Sequence, residues 1–124
     1  MIESHSAHVT LETPPGLDGV VVCRLAGEID IDCRPEVRAV FSRALDRATR
    51  GVLVDCGRLS FCDSTLLNAL INLRNRAGAR PMPVFLVAPS RQLRQLLDLT
   101  GTTHLLPAHP TLARALAACP PPQP

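Results

Sequence analysis

Lysine is missing from this chain of 124 residues, and so are tryptophan and tyrosine. The thirteen basic residues are all arginine, spread from Arg24 to Arg114 among eleven acids, for a formal net charge of +2. Charges of both signs scattered in this way make a solvated surface, not a nucleic-acid footprint. Only Phe41, Phe61 and Phe85 are aromatic, so stacking platforms for single-stranded nucleic acid are nearly absent as well. No apolar run is long enough to cross a bilayer. Met1-Ile2-Glu3-Ser4-His5 is polar and acidic where a signal peptide is basic and then apolar. The expectation is a soluble, cytoplasmic protein with no direct nucleic-acid contact and no membrane insertion.

Catalytic signatures are missing too. There is no Gly-x-Ser-x-Gly and no phosphate-cradling glycine-rich loop. The cysteines Cys23, Cys33, Cys56, Cys62 and Cys119 are odd in number and contain no Cys-x-x-Cys. A metal or redox role for Cys56 and Cys62, which flank one short segment, is weighed against buried structural thiols, and the second reading is favoured. His5 and His8 fall in the terminal segment, and His104 and His109 lack the i, i+4 spacing of a helical metal pair. A phosphoaspartate receiver is the nearest enzyme-like rival, because Asp55 ends an apolar run. Receivers also use a lysine on a later strand end, and this chain has none. The expectation is no enzyme, no catalytic residues, no metal and no cofactor.

What is present alternates between strand and helix patterns. A short strand over Val9–Leu11 and a β-branched one over Val20–Ala26 are separated by a turn at Leu17-Asp18-Gly19, which predicts an antiparallel hairpin. Gly27-Glu28-Ile29-Asp30 reads as a break. Pro35 suits a first helical turn, and Val37, Val40, Phe41, Ala44, Leu45 and Ala48 recur at the spacing of an amphipathic helix, with Gly51 as its stop. Val52-Leu53-Val54 resembles a buried parallel strand closed by Asp55, with a loop from Cys56 to Cys62. Asp63-Ser64 then caps a helix to about Ala77, in which Leu67, Leu70 and Ile71 face the core while Leu66 and Leu73 lie partly off it. Pro83–Val87 is a strand. Ser90 caps a helix that stops near Gly101, Leu105-Leu106 is a minimal strand, and Thr111 opens a last helix. The order β, β, then α-β-α-β-α-β-α predicts a single α/β domain. Its small, mostly parallel or mixed sheet carries an N-terminal hairpin and about four helices. The boundaries are residues 1–8 as a flexible terminus, 9–118 as the domain and 119–124 as a flexible proline-rich tail.

In open α/β sheets, ligands meet the carboxyl ends of strands. Three features collect there: Gly27-Glu28-Ile29-Asp30, Val54-Asp55, and Phe61-Cys62-Asp63-Ser64-Thr65. Ser64 and Thr65 sit at a helix N-terminus, where unpaired amides and the dipole tolerate a phosphate. On spacing alone, plain capping is the favoured reading of Asp63-Ser64.

The strings Leu25-Ala26-Gly27-Glu28-Ile29-Asp30, Val52-Leu53-Val54-Asp55, Phe61-Cys62-Asp63-Ser64-Thr65-Leu66-Leu67 and Leu99-Thr100-Gly101 together resemble a STAS domain of the anti-sigma-factor antagonist family, over about Val9 to Leu116. The resemblance implies a partner-switching protein of bacterial stress response and transcription regulation. It captures an anti-sigma-factor serine/threonine kinase of the histidine-kinase-like ATPase fold and thereby frees a sigma factor. Phosphorylation at Thr65 inactivates it, and a PPM-type phosphatase restores it. The family's aspartates map to Asp30 and Asp63, and its cap serine to Ser64. The family's glycine after the phosphosite is Leu66 here. The expected partner-binding residues are Gly27, Glu28, Asp30, Asp63, Ser64, Thr65, Leu66, Asn68 and Asn72. Leu66 adds apolar bulk at that contact, and Asp63 and Asp30 make a phosphate hard to pair. The alternative is a non-phosphorylated STAS binding module, such as an accessory subunit of a lipid ABC transporter or a stress-signalling scaffold. Monomer and weak dimer are both compatible with the sequence.

Overall fold

The computed structural model describes residues 7–122. Five strands form one sheet in the order β1-β2-β3-β4-β5. β1 (His8–Glu12) runs antiparallel to β2 (Val20–Ile29), which is the expected hairpin. β3 (Gly51–Cys62), β4 (Val84–Val87) and β5 (Ala108–His109) follow as parallel neighbours. The connections are α1 (Arg34–Arg47), α2 (Ser64–Gly78) and α3 (Arg91–Thr100), and α4 (Leu112–Ala118) closes the chain. The helices called from periodicity are all present.

Strand side chains alternate between the two faces of the sheet, and the core divides accordingly. Val21, Cys23, Leu25, Val52, Val54, Val84 and Leu86 join the apolar stripes of α1, α2 and α3 in the larger core. Val20, Val22, Leu53 and Val87 point the other way and pack with Ala115 of α4 and Cys119. Each fully buried Val or Leu is worth roughly 1.5–3 kcal/mol of transfer free energy. Arg80 donates to the carbonyls of Leu45 and Ala48, satisfying acceptors at the end of α1.

Several local expectations change. The break at Gly27–Asp30 and the loop at Cys56–Cys62 are both strand: β2 runs to Ile29 and β3 to Cys62. Register shifts between Arg24 and Ala26 and between Gly27 and Glu28 carry the pair past its irregularities, and Gly27 takes φ +80°, which glycine adopts without strain. The pairing of β3 with β4 ends at Asp55 opposite Val87, so the rest of β3 has one sheet neighbour only. Its residues need not be apolar there, which is why it reads as a loop. Gly51 does not stop α1; the helix ends at Arg47, and Gly51 is the first residue of β3. Leu105-Leu106 is not a strand. A 3-10 turn over Thr103–Leu105 seats Leu106 in the core, and the edge strand follows Pro107. Leu66 and Leu73 are fully buried, whereas Ile71 is only half-buried.

The expected flexible N-terminus lies almost wholly outside the described residues, although its last residue, His8, belongs to β1. At the other end, Cys119 is buried, and the Pro120 carbonyl accepts a hydrogen bond from Arg50 Nε at 2.8 Å. The start of the assigned tail is therefore packed against the domain.

Candidate partner-binding site

The long β2–β3 pair ends where two helical segments begin. Glu28 lies opposite Phe61 and Ile29 opposite Cys62, so Asp30 and Asp63 follow in matching positions. They also act alike. Asp30 adopts φ −129°, ψ −167° and accepts the Asp32 amide on Oδ1 at 3.0 Å, capping a 3-10 turn that feeds α1. Asp63 adopts φ −132°, ψ −165° and accepts the Thr65 amide on Oδ1 at 2.8 Å, capping α2. An aspartate cap of this kind is worth about 1 kcal/mol. The Cys62 amide is bound by Gln92 Oε1 at 2.9 Å, which ties the last residue of β3 to α3.

Thr65 stands in the first turn of α2, half-buried, and its hydroxyl has no hydrogen-bond partner among the described residues. It opens onto a groove of about 500 Å³ between α1 and α2. One wall is Thr65, Asn68, Asn72 and Arg76, spaced along one stripe of α2. The other is Arg34, Arg38, Phe41 and Ser42 of α1. Arg76 Nη1 donates to Ser42 Oγ at 3.2 Å and bridges the walls. No carboxylate lines this groove.

The structure thus brings Thr65, Asn68 and Asn72 together, with Ser64 exposed beside them and exposed Glu28, half-buried Gly27 and Asp30 on the neighbouring strand end. Leu66 is excluded from such a surface. At 0% exposure it lies in the core, so it adds no bulk at a contact. The expected crowding of negative charge is also altered. Asp30 and Asp63 accept backbone amides at their own caps, and the groove that Thr65 lines carries three arginines, Arg34 and Arg38 on α1 and Arg76 in the last turn of α2. Sequence reading missed Arg34, Arg38 and Arg76, although Arg34 and Arg38 stand one helical turn apart and off the apolar stripe of α1. It also missed Ile31, and it named Phe61 only as part of a motif and not as a contact; they are 62% and 39% exposed at the same end of the sheet.

Asp55 does not fit a receiver. It lies within β3, where Oδ2 pairs with Arg24 Nη1 at 2.6 Å and Oδ1 accepts the Gly57 amide at 3.0 Å. The five cysteines are free and buried, with Cys56 and Cys62 both within β3. Among the described residues no His, Cys, Asp or Glu cluster is arranged to hold a metal, and no helix is long and apolar enough to cross a membrane.

A mixed five-stranded sheet with two aspartate-capped helix starts at one end defines an α/β binding module of the STAS kind. The STAS domain family model matches residues 12–115, and the chain belongs to that family. Among solved structures, it is similar to an anti-sigma factor antagonist from Mycobacterium paratuberculosis at 27% identity and TM-score 0.79, covering 91% of this chain and 93% of that one. It is similar also to the anti-sigma factor antagonist SpoIIAA in its unphosphorylated form, at 25% identity and TM-score 0.73 over 88% and 93% of the two chains. The phosphorylated form of SpoIIAA, a Bacillus cell fate determinant, matches at 25% identity and TM-score 0.71 over 89% and 97%. A sequence search of curated proteins finds no match.

Proposed function

We propose that this chain is a non-enzymatic anti-sigma-factor antagonist, switched off by phosphorylation at Thr65. In this reading it binds an anti-sigma-factor kinase of the histidine-kinase-like ATPase fold, releases a sigma factor, and is restored by a PPM-type phosphatase. The observation that carries the reading is the Thr65 hydroxyl, which is uncommitted among the described residues, half-exposed and held in the first turn of α2 by the Asp63 cap. Around it, the exposed Ile31 and Phe61 supply apolar anchors, while Glu28, Asn68 and Asn72 supply polar contacts. Interfaces of this type draw most of their affinity from a few buried anchors with a polar rim. A phosphate brings about −1.5 to −2 charges and three acceptor oxygens into that surface. A loss of about 1.4 kcal/mol at the interface is already tenfold in affinity.

The test is a pull-down of candidate kinases with and without ATP, followed by mapping of the modified residue by mass spectrometry. Wild type is expected to bind and then be released as Thr65 is modified. Thr65→Ala stays bound in ATP, and Thr65→Asp binds poorly. Wild-type affinity in Thr65→Asp, or modification of Ser64 alone, would overturn the assignment. Recovery of a transporter ATPase with no ATP effect would instead support a constitutive STAS module.

A further inference from the structure

We infer that the groove between α1 and α2 is a cradle for the phosphate monoester of phosphorylated Thr65, with Arg34 and Arg38 as its principal ligands. The inference rests on Thr65 being the modified residue, and it changes what modification does. Thr65 is itself part of the groove wall, so a phosphate on its oxygen starts inside the groove and need not be brought to it. Its hydroxyl is uncommitted among the described residues, so nothing there is displaced. Arg34 and Arg38 lie four residues apart on α1, which places both guanidinium groups on one helical face. Both are exposed, and no carboxylate among the described residues pairs with either. A planar guanidinium binds phosphate oxygens two at a time, which makes arginine the suited residue for this ligand. Asn68, one turn along α2 from Thr65, adds a neutral amide donor, while Arg76 lies about three turns away and is engaged by Ser42, so it adds positive potential to the groove and no direct ligand. The start of α2 contributes its dipole with the same sign.

The phosphorylated chain then differs from the unmodified one by more than added charge. The phosphate uses up the positive groove, and a partner that met free arginines and a small hydroxyl meets a filled, neutralised surface. Repulsion from Asp63 and Asp30 is not required.

The experiment installs phosphothreonine at position 65 by genetic encoding, with no kinase involved, and follows its second ionisation by phosphorus NMR. Free phosphothreonine titrates near 6. In the wild-type chain the midpoint is expected to fall by about one unit or more, because opposite charges at contact distance favour the dianion. Arg34→Gln/Arg38→Gln reverses most of that fall, leaving only the smaller contribution of the α2 start. Arg43→Gln/Arg114→Gln removes the same charge at exposed positions outside the groove and leaves the lowered midpoint in place. A wild-type midpoint near the free value overturns the cradle and leaves the groove to another ligand, such as an acidic segment of a partner. Equal recovery in the two double variants overturns it too, since general field effects then suffice. The kinase pull-down stands apart: a chain that no anti-sigma-factor kinase modifies sinks the proposed switch, while the titration still decides whether the groove holds the phosphate.

Discussion

Two aspartates and five thiols show how far single residues direct this protein. Asp30 and Asp63 have nearly the same backbone angles and the same task, each closing a strand and starting a helical segment. The capping and functional readings of Asp63 are therefore not rivals: its carboxylate is spent on the Thr65 amide, and that bond holds Thr65 at the surface. The thiols carry a pH dependence that the composition makes easy to see. Without lysine or tyrosine, cysteine is the side chain that titrates between about pH 8 and 11. Burial pushes Cys23 up to about 12, and burial followed by the charge of Asp63 pushes Cys62 up to about 11, from an ordinary value of 9.0. The native chain holds these protons more tightly than the unfolded one. Their stabilising contribution is complete below pH 9.0 and is lost as pH rises through the raised values. Urea unfolding midpoints should therefore fall from about pH 9 upward, and Cys23→Ala/Cys62→Ala should reduce the slope. An unchanged midpoint in the wild type would contradict this.

At the scale of elements, α2 does two jobs with two faces. Leu66, Leu67, Leu70, Leu73 and Ala77 pack into the larger core, while Thr65, Asn68, Asn72 and Arg76 line the groove. Leu66 follows Thr65, the proposed phosphoacceptor, in sequence, yet a step of about 100° around the helix turns it inward. Leu66→Ala should therefore cost about 2–5 kcal/mol in urea unfolding, as for other buried leucines. At temperatures where the variant remains folded, its affinity for the proposed kinase partner should be unchanged. A stable Leu66→Ala chain that no longer binds would move Leu66 back to the contact. The same two-faced logic explains β2 and β3. Their apolar halves sit in the middle of the sheet, and their polar halves extend beyond β4 as a ribbon that ends at the site.

Across the whole molecule, the cores that supply stability and the proposed recognition surface occupy separate places. The sheet and its two cores hold the apolar residues, and no polar or charged residue is buried among those described. The proposed contact surface gathers exposed side chains at one end of the β2–β3 pair and along the α1–α2 groove. Asn68→Ala/Asn72→Ala touches only that surface. Its unfolding free energy should stay within about 0.5 kcal/mol of wild type. Its affinity for the proposed kinase partner should fall tenfold or more, read by calorimetry against the wild-type chain. A loss of stability with intact binding would reverse the assignment.

Helix positions, the hairpin, the caps at Ser90 and Thr111 and the stop at Gly101 were legible from local chemistry, because periodicity, hydroxyl or carboxylate caps and a left-handed glycine act within a few residues, whereas the cap of α2 is Asp63 and Ser64 is its first helical residue, not its cap. Membership of the STAS family was legible too, through short motifs kept in order. The reach of β2 and β3, the burial of Leu66 and the turn that replaces a strand at Leu105-Leu106 depended on which neighbours each segment met. The arginine groove depended on it most. Arg34 and Arg38 stand on one helix and Thr65 on another, and only the packing of α1 beside α2 across a shared sheet brings their side chains to one cleft.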